Sequence, residues 1–529
     1  MNSLNQRWAL PPIGIRFLVI VLLLLGIFFR FVNLDRKVYW FDETFTSLRI
    51  SGYTESEVVK QVCNGQQIGV EDLQKYQQLN ASKTLTDTIK SLGVEDPQHP
   101  PLYYVMTRYW VKWFGNSVAV TRSLSALISL LVFPSIYWLC LELFNSLLVG
   151  WVAMGLVAIS PFHVLYAQEA RQYSLWTVTI LLSSAALLRA IRLKTKISWG
   201  MYALTVTLAL YSFLFSGLVA IGHGIYVVIT ESFRLSKTVT AYLLASILSI
   251  IAFMPWFFVV INHSSQLSQT TEWTASKLSR LTLIKLWSLN LSYFFFDFSS
   301  YDENYSWVKY ISLCLRCALI ILVGYSIYFL WRNTPRRVWL FVFTLIGVTG
   351  LALVIPDLIS ASQRSKTGRY LLPCYVGIQL AVAYLLSTQI TSSVNLKRGK
   401  WRLVTIAIVS LGVLSCAISS RAETSWHKDL NYYTPQIVHI VNSSPRPLLI
   451  SFCQKIWALG DEMPLSYMLN PTVKLQLLDE LKPQQPQIQN SFSDVFLLAP
   501  PALFRANLEK KYKIEAVYPE KLKLWRIVK

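Results

Sequence analysis

Eleven apolar stretches, each about as long as the roughly 20 residues that cross a bilayer as a helix, recur along this 529-residue chain. A soluble fold of this length could not hide them, because 53% of the residues are hydrophobic and only 15% are charged. The stretches fall at 15–33, 117–140, 147–164, 170–190, 198–213, 216–231, 239–261, 307–331, 338–356, 369–389 and 402–420. In lipid the backbone must satisfy its own hydrogen bonds, so runs of this length predict helices. The expected class is a polytopic α-helical membrane protein with about 11 transmembrane helices. The 198–231 pair can also be read as one broken helix.

Basic residues set the expected direction of threading, since short cytoplasmic loops collect Lys and Arg. Arg7 and Arg16 precede the first span, and alternate loops carry Arg189, Arg192, Lys194 and Lys196; Arg234 and Lys237; Arg332, Arg336 and Arg337; and Lys397, Arg398, Lys400 and Arg402. The pattern predicts a multi-pass protein of the cell (plasma or inner) membrane with a cytoplasmic N-terminus. The first apolar run exceeds a signal-peptide core, and Phe28-Phe29-Arg30-Phe31 offers no small-residue cleavage site, so it reads as a retained anchor. The net charge of +21 then reflects topology and anionic lipid, and no nucleic-acid partner is expected.

Two domains are expected: a transmembrane domain over 1–420, including an external loop at 34–116, and an external soluble α/β domain over 421–529. A loop as long as 34–116 is usually functional. It holds a polar helix-like stretch from Glu55 to Gln78, then an aromatic and cationic one over 100–114 suited to a helix at headgroup level. The segment 262–306, with Trp273, Lys277, Trp287 and Phe294-Phe295-Phe296, reads as a second external, partly interfacial loop. In the tail the apolar runs shorten to strand length at Pro447–Phe452, Val473–Leu478, Val495–Leu498 and Leu522–Val528, with a helix-like piece at Ala502–Lys511. Of the seven cysteines, Cys314 and Cys317 lie inside a span and read as packing residues. Cys63 and Cys453 are the two in external parts, where a disulfide between them is possible without anything in the sequence requiring it.

Three short patches carry chemistry: Trp40-Phe41-Asp42-Glu43, His99-Pro100-Pro101-Leu102-Tyr103-Tyr104 and Gln168-Glu169-Ala170-Arg171-Gln172-Tyr173. Carboxylates next to lipid are costly unless paired or functional. The plainer reading of the first patch is a helix start, with Asp42 as cap and Glu43 in the first turn. His99 could likewise be a local cap, and Glu169 and Arg171 could simply neutralise each other. A fourth patch is the short external loop 357–370, which carries Arg364, Lys366 and Arg369 against the positive-inside bias. Phosphate binding is the simplest reason, with contact to external anionic headgroups as the other.

In order and spacing these patches resemble the family 39-like glycosyltransferases, which include protein O-mannosyltransferases, aminoarabinose transferases and rhizobial-type lipopolysaccharide sugar transferases. Their fold is called GT-C. The resemblance covers roughly residues 15–390 and includes Arg369-Tyr370-Leu371-Leu372-Pro373, similar to a late Arg-Tyr-x-x-Pro element. It implies catalytic carboxylates at Asp42, Glu43 and Glu169, with Asp42 favoured as the base. It places Arg171, Tyr173, Arg369, Tyr370, Lys366 and Arg364 near the donor phosphate, and His99, Pro100, Tyr103, His163 and Tyr166 around the substrate pocket.

The expected enzyme is thus a hexosyl- or pentosyltransferase. It would move a sugar, with inversion, from a polyprenyl-phosphate-linked donor to a lipid, glycan or protein hydroxyl on the external face. The alternative is a lipid or polysaccharide transporter or flippase, which would instead show charges at span centres and paired broken helices. No His/Cys cluster suggests a metal, although Asp42, Glu43 and Glu169 could hold a divalent ion through oxygen. The threading is tested by labelling from outside intact cells: single cysteines replacing Lys60 should react and those replacing Lys194 should stay silent. Asp42, Arg369 and Lys529 fall on the labelled side, and the opposite pattern overturns the orientation.

Overall fold

A computed structural model describes residues 11–298, 306–453, 459–480, 486, 488, 489 and 491–528. Arg7 and Lys529, used above for threading, lie outside them. The described chain is mostly helical, and all eleven predicted spans fall on helices. Eight are long and apolar enough to cross a membrane: Ile13–Phe31, Val118–Phe144, Tyr173–Leu193, Lys237–Asn262, Trp307–Asn333, Arg336–Ser360, Gly368–Ile390 and Asn395–Arg421. A ninth forms if Leu147–Ala158 and Pro161–Ala167, bent by 62°, count as one span. The two remaining stretches fold as two separate shorter helices, Lys196–Ser212 and Ser216–Thr230, with an interruption at 213–215.

The chain divides into two compact units, cut differently from the expected boundary at 420/421. One comprises 1–34, 97–103 and 122–421; the other comprises 35–96, 104–121 and 422–529. Most of the loop 34–116 therefore belongs with the tail.

Within the helical unit, breaks are stabilised by side chains that take up the freed backbone groups. Pro161 cannot continue the helix that ends at Ala158. The carbonyls left open there accept from Arg30, whose Nη1 lies 2.8 Å from Ala158 O and Nη2 3.2 Å from Val157 O. The helices can approach this closely because residue 26 is glycine: a Cβ there would stand 2.5 Å from Ala158 O.

The second unit is built on a six-stranded sheet in the order β1-β3-β2-β4-β6-β5. Its strands are β1 (Gln67–Gly69), β2 (Pro447–Cys453), β3 (Lys474–Asp479), β4 (Asp494–Leu498), β5 (Lys513–Ala516) and β6 (Leu524–Val528). The central β3-β2-β4 ladder is parallel, and its middle strand is buried along its whole length, as a two-face-covered strand requires. The tail's four predicted strands are present. The predicted helix-like run Glu55–Gln78 is instead helix Glu55–Val62, strand β1, helix Val70–Gln74 and a final turn. Gly65, at φ +77°, turns the chain there, and β1 then adds antiparallel to β3 at Gln67↔Gln476. Phe45, Leu48, Val58 and Leu73 from the loop share one core with Leu449, Met463, Leu475 and Phe496 from the tail.

Cys63 and Cys453 are joined by a disulfide across 390 residues, with Cα atoms 6.2 Å apart. Cys314 and Cys317 depart from expectation: they lie on an outward face of their helix, exposed rather than packed. Cys63→Ala should lower the unfolding free energy of the sheet unit by about 2–4 kcal/mol, because the cross-link restricts the unfolded chain. Pulse proteolysis of reduced and oxidised full-length protein reads this; equal resistance would mean the bond adds no stability. Nearby, burial and then the charge of Glu95 raise the Glu55 carboxyl to about 7 against the pull of Arg49, from an ordinary 4.5. The folded state therefore holds a proton that the unfolded state releases, so stability should fall as pH rises from about 4.5 through 7. Glu55→Gln should flatten that slope.

Candidate functional site

In the helical unit, the second and third sequence patches meet. Pro100 and Pro101 keep the chain extended until helix Leu102–Phe114 begins, leaving His99 on an irregular segment. Its ring bonds far along the sequence rather than capping locally: Nε2 is 3.1 Å from Arg171 Nη2, and Nδ1 is 3.0 Å from the Gln172 side-chain amide. A guanidinium can only donate, so Nε2 accepts and Nδ1 carries the proton. Gln172 must then present its amide oxygen to Nδ1. The imidazole thus fixes the direction of the Arg171 fork.

The Arg171 backbone is held as well. Ser125 Oγ donates to its carbonyl at 3.2 Å and lies 2.7 Å from Tyr103 OH, so Tyr103 supports this turn from a fully buried position. Gln168 Nε2 donates to the carbonyls of Phe29 and Val32, at 2.9 and 2.8 Å, where the first helix ends. Glu169 is buried, and its carbonyl accepts from the Arg171 amide at 2.8 Å. Residues 168–172 lead into the N-terminus of helix Tyr173–Leu193, whose dipole favours anions.

Arg369 joins this group through the aromatic rings. Its guanidinium carbon lies 5.4 Å from the centroid of Tyr173 and 5.7 Å from that of Tyr370. One ring missed by the sequence reading organises the cluster. Phe213, in the extended break after helix Lys196–Ser212, contacts His99, Tyr173, Trp176, Phe215 and Tyr370. Its only sequence signal was the break suspected within 198–231.

The basic loop is a built structure. Asp357, read as part of the loop, belongs to the end of helix Arg336–Ser360. Its carboxylate accepts from Ser362 Oγ at 2.5 Å, the Arg364 amide at 3.0 Å, and the Ser365 amide and hydroxyl at 2.7 and 2.5 Å. Trp287 and Asn290 brace it from outside, bonding Ser365 Oγ at 2.9 Å and Lys366 O at 2.7 Å. Arg364 is exposed, and Lys366, Arg369 and Tyr370 are part-exposed. His163 and Tyr166 are both buried. His163 donates to Gln379 at 3.0 Å and stands edge-on to Phe294, while Tyr166 accepts from Ser174 through its carbonyl and meets Tyr173 edge-on.

The first patch lies in the sheet unit. Helix Phe41–Ile50 starts after Trp40, so Asp42 is not the cap; Asp42 and Glu43 both occupy the first turn. The cap comes from the tail, where Asn431 Oδ1 accepts from the Phe41 amide at 2.8 Å. Glu43 is fully buried against Lys428, with Oε2 3.3 Å from Nζ, and Lys428 also donates to Val38 O at 2.7 Å. The adjacent carboxylates thus differ as their helix positions require: Glu43 holds the tail, while Asp42 retains 8% exposure. Among the described residues no three His, Cys, Asp or Glu side chains are placed to hold an ion, and Glu43 already faces an ammonium.

Residues 98–258, less than half of the chain, match the family model described as dolichyl-phosphate-mannose-protein mannosyltransferase. The structure is similar to crystal structures of ArnT from Cupriavidus metallidurans. The form bound to undecaprenyl phosphate matches with TM-score 0.54 and 11% identity, over 97% of each chain. The apo form gives 0.54 and 10%, over 96% of this chain and 97% of that one. The archaeal oligosaccharyltransferase AglB from Archaeoglobus fulgidus gives 0.49 and 12%, over 87% and 64%. No curated protein sequence matches.

The Glu43–Lys428 pair predicts its own mutational pattern. Lys428→Met leaves a buried carboxylate uncompensated and should destabilise the sheet unit by about 3–5 kcal/mol, and Glu43→Gln should do similar damage. The double variant should be milder than either single one. Additive losses in denaturant titrations would show the pair to be uncoupled.

Proposed function

We propose that this chain, a family 39-like protein of the GT-C fold, is a membrane glycosyltransferase that moves a sugar from a polyprenyl-phosphate-linked donor to a hydroxyl acceptor. The observation that carries the reading is the Arg171 fork fixed by His99, with Arg369 over the ring of Tyr173, at the start of a long helix. Two guanidiniums and a helix N-terminus suit a phosphate that gains charge as the sugar leaves. Support for a lipid carrier comes from the whole-length likeness to ArnT, which was solved with undecaprenyl phosphate. The comparisons lend the transporter alternative no support.

In this reading the acceptor oxygen bonds to the anomeric carbon as the carbon–oxygen bond to the carrier phosphate breaks. Arg171 and Arg369 bind the departing phosphate, and Lys366 and Arg364 add to the local field. Asp42 takes the proton from the acceptor hydroxyl, while Glu43, committed to Lys428, positions the helix that carries Asp42. Glu169 is the second carboxylate of the reaction. The sugar is a hexose or pentose, and the acceptor a lipid, glycan or protein.

We assign the sheet unit to the external side of the plasma or inner membrane and the N-terminus to the cytoplasm. The disulfide Cys63–Cys453 supports this, because such bonds persist in oxidising compartments.

Asp42→Asn should lower turnover by about 10²–10⁴-fold with little change in donor binding, since the amide keeps the shape but cannot take a proton. Arg171→Ala and Arg369→Ala should instead weaken donor affinity by roughly ten- to a hundredfold, with Lys366→Ala milder and Arg369→Lys a partial rescue. Purified enzyme with a radiolabelled lipid-linked sugar separates the two effects. Normal transfer by Asp42→Asn would remove it as the base, and unchanged donor affinity in both alanine variants would remove the arginines. Deletion cells should accumulate a lipid-linked sugar.

A further inference from the structure

Several arginines in the helical unit are held by protein groups. Arg30 is held by the carbonyls of Gly26, Val157 and Ala158, Arg122 donates to Leu34 O at 2.6 Å, Arg171 bonds His99, and Arg192 forms a two-point contact with Glu142. Arg316 differs. It lies ten residues into helix Ser306–Asn333, about 15 Å along the axis at 1.5 Å per residue, inside an otherwise apolar span. Its Nε is buried with no hydrogen-bond partner, and among the described residues no acceptor, carboxylate or ring engages the side chain.

Its position on the helix makes this informative. Ser312, Leu319, Val323, Ser326 and Leu330 form the buried stripe of the helix, and half-buried Arg316 lies on the same stripe. Ile311, Leu313, Ile320 and Ile321 form the exposed, lipid-side face. The charge thus sits at a margin of the bundle, where this helix packs against Leu372–Ile390, Arg280–Tyr293 and Arg336–Ser360. Helical side chains lean toward the N-terminus, so the guanidinium reaches toward Lys309, two turns earlier, which is exposed and also has no anionic partner among the described residues. These two cations lie in the half of the helix opposite Arg332, Arg336 and Arg337, against the usual charge bias. An arginine within an apolar span is costly unless paired, and an anion reaching it through lipid would pair it.

We infer that Arg316, with Lys309 above it, forms a lateral site for the phosphate of a membrane lipid, separate from the Arg171–Arg369 group. The phosphate would sit between the two cations with its tails along the exposed face. Two sources share this chemistry: the polyprenyl-phosphate carrier, which would then stage here, and an anionic phospholipid headgroup. The inference stands apart from the glycosyltransferase reading, since it rests on the placement of Arg316 and Lys309 alone.

Native mass spectrometry tests it on the full chain in micelles containing equimolar phosphatidylglycerol and undecaprenyl phosphate. Arg316→Gln and Arg316→Leu should retain one fewer lipid phosphate per chain, with occupancy of that lipid about tenfold lower, and Arg316→Lys should fall between them and the parent. Arg332→Gln, at the opposite end, should change nothing. Arg316→Leu removes a charge from an apolar span and so favours insertion, which separates lipid loss from misfolding. Loss of undecaprenyl phosphate identifies the site as a carrier site, and loss of phosphatidylglycerol as a headgroup site. Undiminished retention of both lipids in Arg316→Gln and Arg316→Leu overturns the inference.

Discussion

Low dielectric leaves no room for an unsatisfied charge or backbone group, and this constraint shapes the helical unit from its breaks outward. A helix that stops inside an apolar bundle exposes carbonyls that water cannot reach. The stop at Ala158 is tolerated because Arg30 reaches them, and Arg30 is in turn tolerated because those carbonyls are there. The extended break at Phe213 follows the same logic with different groups, since Ser216 Oγ bonds Ala209 O at 2.7 Å. Irregular backbone survives where side chains complete it, and at Phe213 it turns a ring into the candidate site.

The same economy of partners explains why the basic cluster can be rigid. Arg171 does not wait for a ligand to orient it: a neutral imidazole with one acceptor nitrogen fixes it, and Gln172 fixes the imidazole. Asp357 plays the corresponding part for the loop before Arg369, with its charge spread over four donors from that loop. If such a cluster binds the phosphate proposed for it, little reorganisation is needed on binding. Asp357 is thus an acid whose value lies in the cations it positions.

In the sheet unit the organising group is again a buried charge. Lys428 joins Glu43 and Val38 O, drawing the start of helix Phe41–Ile50 onto a tail almost 400 residues later in the chain. Asn431 caps the same helix, and β1 completes the sheet edge. Together they make one folded body from a loop and a tail that sequence proximity would assign to different domains.

Apolar run lengths alone determined the helices, because lipid admits hardly any other backbone, and alternation in the tail determined its four main strands. The order of the three patches and the basic loop singled out Arg171, Tyr173, Arg369 and Asp42 as candidates. Tertiary structure decided which groups partner them. His99 could have been a cap but bonds Arg171, Asp42 proved not to be a cap, and Glu43 and Asp42 divided into a structural and a partly exposed carboxylate. Phe213, Asp357 and Lys428 carried no local signal, since a ring, an acid or a lysine is ordinary until a distant partner meets it. Strand β1 was hidden for the same reason: three residues make a strand only when an edge such as β3 is there to pair with them. Run length and pattern are properties of neighbours along the chain, whereas satisfying a buried charge or an open edge depends on residues that only folding brings together.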